Sequence, residues 1–382
     1  MNYKVAIIQN RLQRGGRLQV MIYMIKVLNA EGIIPEILTL SSRISVYDIK
    51  RSYYSRNLKF KIIEISKDFK MPFEWNILYF NYVINKYLDK YELIINNNNT
   101  SYLLNKNLNL LSYVHFPRKA RNLATKKSIH FPSGPDKSIW DYKSDLFSLA
   151  ARFYHKDYKP IKNDLIIANS EFTKSQILQC YNILSEKIEV IYPPVEKENI
   201  VNKKQKNQVV SLGRFAPDKR QLEQIMIAQK LQKYHFYIIG FVNSKDYYEL
   251  CKDYIIRNNL NNITLVADAT KKEMLEILST SNYFIHSMRN EPFGITTIQA
   301  IHNSVIPIVH NSGGQKEIVP CNELRYDDKK DAVKVFNYLS QISDYKGEYY
   351  IRTLKENVKA FSVDNYERKF KKLINKKIDA LA

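Results

Sequence analysis

The apolar residues of this chain gather into short, almost unbroken runs. They lie at Lys4 to Gln9, Leu110 to Val114, Asp164 to Asn169, Lys187 to Tyr192, Gln208 to Leu212, Tyr283 to Met288 and Val305 to Val309. Runs of this length without polar alternation are the signature of strands buried on both faces, as in parallel sheets. Between them the apolar period becomes helical, first over Arg17 to Ala30 and last over Val363 to Leu381. There Tyr366, Phe370, Leu373, Ile374 and Ile378 share one face and lysines crowd the other. Ser170 precedes Glu171-Phe172-Thr173 as a cap-like residue opening a further helix. This alternation predicts an α/β fold with parallel sheets in both halves of the chain.

Pro193-Pro194 ends the fourth of these runs, and a lysine-rich polar stretch, Glu196 to Asn207, follows it. The expected division is therefore an N-terminal domain of residues 1–195, a C-terminal domain of 196–360 and a closing helix of 361–382. A chain of 382 residues exceeds one comfortable core and suits two domains.

Charge changes the picture in one respect. The chain carries a formal net charge of +21, and residues 1–127 hold 21 Lys and Arg against 8 Asp and Glu. Basic residues interleave with aromatics over Arg51 to Arg56 and Phe116 to Arg121. Such a surface suits anionic lipid headgroups or nucleic acid, and for any single cluster a solvated face of no special role. No nucleic-acid reading motif accompanies it. Cys180, Cys251 and Cys321 lack metal-ligand spacing and read as reduced thiols. With no secretory leader and no apolar run of 18 residues, the expected location is cytoplasmic.

Candidate chemistry concentrates in three segments. Glu291-Pro292-Phe293-Gly294-Ile295-Thr296-Thr297-Ile298-Gln299 stands where a strand passes into a helix. A carboxylate accepts from sugar hydroxyls, and the first N–H groups of a helix favour negative charge. The alternative is an ordinary strand-turn-helix connection. Ser211-Leu212-Gly213-Arg214-Phe215, followed by Ala216-Pro217-Asp218-Lys219-Arg220, places Arg214 and Lys219 beside a βα loop, with Pro217-Asp218 expected to open a helix. A guanidinium fork and an ammonium suit a diphosphate; two solvated basic residues are the bland reading. In the third loop, Asn311 to Val319, Gly313 and Gly314 are expected to expose backbone N–H groups to a ligand and Glu317 to accept from a hydroxyl. A lone Gly-Gly is more often only a turn.

With these segments in this order, the chain resembles the retaining glycosyltransferases of family 4, also called glycosyltransferase group 1. The C-terminal half carries the resemblance most specifically. It implies the GT-B architecture, two Rossmann-like doubly wound domains facing across a cleft, with the acceptor bound by the first and the nucleotide sugar by the second. It also implies that Arg214 and Lys219 hold the donor diphosphate, and that Glu291 with the backbone at Phe293 and Gly294 holds the donor sugar. The family's second glutamate, which binds the ribose, is Gln299 here. Gly15 and Gly16 match the acceptor-side or phosphate-side loop of the first domain, and His115 in His115-Phe116-Pro117 is a candidate to touch the donor sugar or orient the acceptor, against a purely structural histidine. His286 lies closer to the proposed donor site, or points into the sheet. His130, His155, His235, His302 and His310 read as structural.

The activity so implied is transfer of a hexose, mannose or glucose, from a nucleoside-diphosphate sugar to a hydroxyl of a glycan or a lipid-phosphate-linked acceptor, with retention. No cofactor and no metal are expected, since no Asp-x-Asp pair is present, and Arg214 with Lys219 would stabilise the departing diphosphate. Peripheral contact with an anionic membrane, on its inner face, is expected, and nucleic acid is not. The alternatives are a nucleic-acid-binding protein, or a nucleotide-sugar-binding GT-B protein whose transferase activity is reduced or lost.

Overall fold

The computed structural model describes residues 3–13, 15–42, 44–47, 49, 57–65, 73–98, 108–117, 120, 165–198 and 202–379. The chain divides into two compact units, Met1–Pro194 with Asp364–Ala382, and Val195–Val363. Arg51 to Arg56, Arg118, Lys119, Arg121, His130 and His155 lie outside the described residues.

The first unit is built on strands β1 (Val5–Ile8), β2 (Arg11–Leu12), β3 (Glu36–Thr39), β4 (Ser41–Ser42), β5 (Lys61–Glu64), β6 (Leu93–Asn96), β7 (Leu110–Val114), β8 (Leu165–Ala168) and β9 (Ile188–Val190). Seven of them form one parallel sheet in the order β5-β3-β1-β6-β7-β8-β9, and β2 pairs with β4. Chain order reverses between β1 and β6, which makes this pair the switch point of a doubly wound sheet. The apolar strands drive its burial: Ala6, Ile8, Leu38, Ile94 and Leu110 pack with Phe80, Ile84 and Leu88 of the helix Phe73–Leu88. Ser170 caps the helix Glu171–Cys180, its Oγ accepting the Thr173 N–H at 2.9 Å. The last helix, Val363–Asp379, packs within this unit, with the Tyr366 ring edge-on to Tyr23 at 6.2 Å and Lys371 paired to Glu31 at 2.5 Å.

The second unit holds β10 (Gln205–Leu212), β11 (His235–Gly240), β12 (Ile263–Ala267), β13 (Ser281–His286), β14 (Ile306–His310) and β15 (Arg325–Tyr326). Their order, β12-β11-β10-β13-β14-β15, is again parallel, and the switch point is now β10–β13. Val210, Leu212, Ile239, Phe284, Ala300 and Val305 form its core.

Two local expectations are corrected. The lysine-rich stretch to Asn207 is partly strand, because β10 begins at Gln205 with three exposed residues that no apolar pattern marks. Pro217-Asp218 opens only a single 3-10 turn, Pro217–Lys219. Arg220 then adopts a left-handed conformation, φ 57°, and the α-helix starts at Gln221.

Candidate active site

In a doubly wound sheet the crevice at the switch point lies outside the carboxyl ends of the two central strands. In the second unit β10 ends there at Leu212 and delivers Gly213 and Arg214, while β13 ends at His286 and delivers Glu291. The two meet directly: Lys219 Nζ donates to Glu291 Oε2 at 2.5 Å, and His286 Nε2 lies 3.2 Å from the same oxygen. Burial alone would push the Glu291 carboxyl up, but Lys219 and His286 outweigh it and hold the group well below its ordinary range. His286 is itself shifted down, first by burial and further by Lys219, with Glu291 opposing. Arg214 pairs with Asp218 at 2.5 Å.

The third loop locks onto this pair of strands. Gly314 N–H donates to Glu291 O at 2.8 Å, Asn290 N–H to Ser312 Oγ at 2.8 Å, and Thr297 Oγ1 to Gln315 Oε1 at 2.9 Å. This corrects the reading of Gly314 as a donor exposed to ligand, since its N–H is already bonded to the protein. The glycine pair serves close approach instead: at Gly313, φ 72°, a Cβ would lie 2.5 Å from Glu291 O. Glu317 belongs to the short helix Gln315–Ile318 that this loop opens. Gly294 caps the helix Ile295–His302, accepting the Thr297 N–H at 3.0 Å and packing on buried Gln315. The N–H groups before Thr297 have no intrahelical acceptor, so this end suits an anion or sugar oxygens. Phe293 is buried, edge-on to Phe361 at 5.3 Å, so only its backbone is suited to a ligand. Gln299 lies half-buried on the same helix.

The sequence left His286 between the donor site and the sheet interior, and it gave Asp218, Gln315 and Gly240 no role of their own in the site; the contact of His286 with Glu291 places it there. Gly240 has a steric role, because a Cβ there would lie 1.9 Å from Gly213 O and push the Arg214 loop aside. A glycine closing an apolar strand was the available signal. Gln221 holds the same loop through Nε2 to Arg214 O at 2.7 Å.

The first unit carries a separate polar network at its own switch point. His115, just past β7, makes a 2.8 Å contact from Nε2 to Asn97 Oδ1. Asn97 Nδ2 in turn donates to Gln9 Oε1 at 2.6 Å and to Arg17 O at 3.2 Å. Burial, with Arg17 nearby, holds His115 well below its ordinary range. Gly15 and Gly16 begin the helix Gly16–Ala30, Gly15 as its cap. Among the described residues no group of three or more His, Cys, Asp or Glu could hold a metal ion, and no helix is long and apolar enough to cross a membrane.

Residues 194–343 match the family model described as glycosyl transferases group 1. A "GDP-Man:Man(3)GlcNAc(2)-PP-Dol alpha-1,2-mannosyltransferase" of Dictyostelium discoideum is 23% identical over 292 residues, 69% of this chain and 58% of that protein. An "O-antigen chain mannosyltransferase RfbU" of Salmonella typhimurium is 23% identical over 204 residues, 50% of this chain and 58% of that protein. The chain spans about half the length of the curated relatives it matches. Among solved structures, Anabaena Alr3699/HepE in complex with UDP and glucose matches with a TM-score of 0.70 at 14% identity, covering 98% of this chain and 100% of that one. WaaG, "a glycosyltransferase involved in lipopolysaccharide biosynthesis", matches with a TM-score of 0.73 at 11% identity, covering 97% and 99%.

Proposed function

We propose, from the match of residues 194–343 to the glycosyl transferases group 1 and from a fold of the GT-B class, that this protein is a retaining hexosyltransferase. It moves mannose or glucose from a nucleoside-diphosphate sugar to a hydroxyl of a glycan or a lipid-phosphate-linked acceptor. The observation that carries this reading is the junction of Lys219, His286 and Glu291 at the β10–β13 switch point, with Arg214 beside it.

The chemistry follows from the charges. The donor diphosphate carries two negative charges, and Arg214 with Lys219 supplies two cations on one loop. Each cation is paired with a carboxylate, Arg214 with Asp218 and Lys219 with Glu291. The donor diphosphate competes with Asp218 for Arg214 and shares Lys219 with Glu291. As the glycosidic C–O bond breaks, the leaving diphosphate gains charge, and fixed cations stabilise that charge more than the ground state. Glu291 accepts from hydroxyls of the donor sugar, and the N-terminus of the helix Ile295–His302 faces the same ligand. Gln299 accepts from the ribose without a charge-assisted bond, a difference of about 1 kcal/mol relative to a glutamate. No metal is required in this scheme, since the two side-chain cations take that role. In this scheme His115 acts on the acceptor, and the basic N-terminal clusters bring the protein to an anionic membrane surface on the cytoplasmic side. The mannosyltransferase names of the relatives favour GDP-mannose as the first donor to try, and the UDP of the Anabaena structure makes UDP-glucose the second.

A panel of GDP-mannose, UDP-glucose and ADP-glucose tests the reading, by thermal stabilisation and by release of nucleoside diphosphate, with EDTA and then with magnesium. One donor class stabilising the protein and being slowly hydrolysed in EDTA is the expected result. Binding without turnover identifies a nucleotide-sugar-binding protein, and salt-sensitive binding of DNA or RNA with no donor response overturns the proposal.

A further inference from the structure

We propose that His286 is a positioning residue that orients the Glu291 carboxylate toward the donor sugar, an inference that rests on reading Glu291 as the acceptor of sugar hydroxyls. Both protein donors to this carboxylate meet one oxygen. Lys219 Nζ, from the loop after β10, and His286 Nε2, at the end of β13, converge on Oε2 at 2.5 and 3.2 Å. No described residue donates to Oε1. A carboxylate gripped at one oxygen from two different strands cannot turn freely about its last torsion, so Oε1 is kept for a ligand.

The protonation state of His286 follows from the same contacts. An ionised carboxylate only accepts, so Nε2 carries the hydrogen and Nδ1 is left with its lone pair. His286 is buried, 4% exposed, and Nδ1 has no partner among the described residues. A second proton there would be buried without an acceptor, near the Lys219 ammonium, and burial already disfavours it. His286 is thus a neutral donor that adds direction without adding charge. Lys219 and Glu291 remain a balanced pair, and the donor diphosphate meets no extra fixed cation at the sugar end of the site. A second lysine or an arginine in its place would supply the bond but not that balance.

The test separates the sugar from the nucleotide. His286→Phe and His286→Met remove the donor while keeping bulk, and His286→Gln keeps an N–H donor. Titration calorimetry with GDP-mannose and GDP, and with UDP-glucose and UDP, is read together with kcat and KM. In the Phe and Met variants the sugar nucleotide is expected to bind about tenfold more weakly, equivalent to about 1.4 kcal/mol. The free diphosphate should bind as in the wild type, the loss should appear in KM rather than kcat, and the Gln variant should recover most of it. Unchanged sugar-nucleotide binding in both the Phe and Met variants overturns the inference, as does equal loss of the sugar nucleotide and the diphosphate, the mark of a merely structural role. Glu291→Gln distinguishes the two layers: if it lowers sugar-nucleotide binding selectively and the His286 variants do not, only the role of His286 fails. If Glu291→Gln has no selective effect, the reading of Glu291 fails and the inference goes with it.

Discussion

Gly313 shows how much of this site depends on one residue's backbone. Its φ of 72° is one that side chains rarely adopt, and its Cα faces the Glu291 carbonyl so closely that no Cβ fits. Gly313→Ala is expected to cost about 1–3 kcal/mol through strain at this position and to displace the Glu291 loop. Thermal unfolding should show a lower midpoint, and sugar-nucleotide binding should fall with it; a variant as stable as the wild type would mean the loop is not held as described. Glu291, Arg214 and Lys219 were legible in the sequence because each belongs to a short local motif whose residue types suit a phosphorylated sugar. His286 was ambiguous, because its contact exists only once β10 and β13 lie side by side. Gly314 was misread for the opposite reason: a glycine pair is compatible with either an open N–H or a close backbone contact, and only the neighbouring strand decides between them.

The helix Ile295–His302 shows how one element is fixed at both ends. At its N-terminus Gly294 O accepts the Thr297 N–H at 3.0 Å, and its C-terminal turn is held by cations. Lys204 donates to Ser281 O at 2.9 Å and to Asn303 O at 2.8 Å, and Lys355 to Ser304 Oγ at 2.6 Å. Burial, with the Lys355 charge adding to it, pulls the Lys204 ammonium down to about 8. In the unfolded chain the same group titrates near 10.5. Between these two values the unfolded chain keeps a proton that the folded protein has released, so stability rises with pH across that window. Below pH 8 the charged form is a burden on the folded state that is not relieved. Denaturant unfolding of the wild type and Lys204→Met from pH 7 to 10.5 should show the wild type gaining relative to the variant above pH 8; a constant difference would remove the shift. The strands around this helix were legible because parallel strands buried on both faces leave continuous apolar runs. The start of β10 and the break at Arg220 were not, since an exposed strand end and a left-handed residue carry no hydrophobic signature.

At the scale of the whole molecule, two doubly wound sheets, of seven and six strands, share the same reversal of chain order and repeat one solution, a polar constellation at the carboxyl ends beside the switch point. The alternation of runs was enough to read this fold class, and the loop order was enough to point to nucleotide sugars. The net charge of +21 admitted anionic lipid and nucleic acid alike, because composition records the sign of a surface and not its shape. What separates those readings is whether the second unit discharges a sugar nucleotide. The most direct measurement is release of nucleoside diphosphate from GDP-mannose and UDP-glucose in EDTA by the wild type and by Lys219→Ala, with far-UV circular dichroism and thermal unfolding as controls on folding. Slow release from one donor by the wild type is expected, with a loss of at least about tenfold in the folded variant, the equivalent of about 1.4 kcal/mol or more of transition-state stabilisation. Equal release by a folded Lys219→Ala protein would contradict the reading of Lys219.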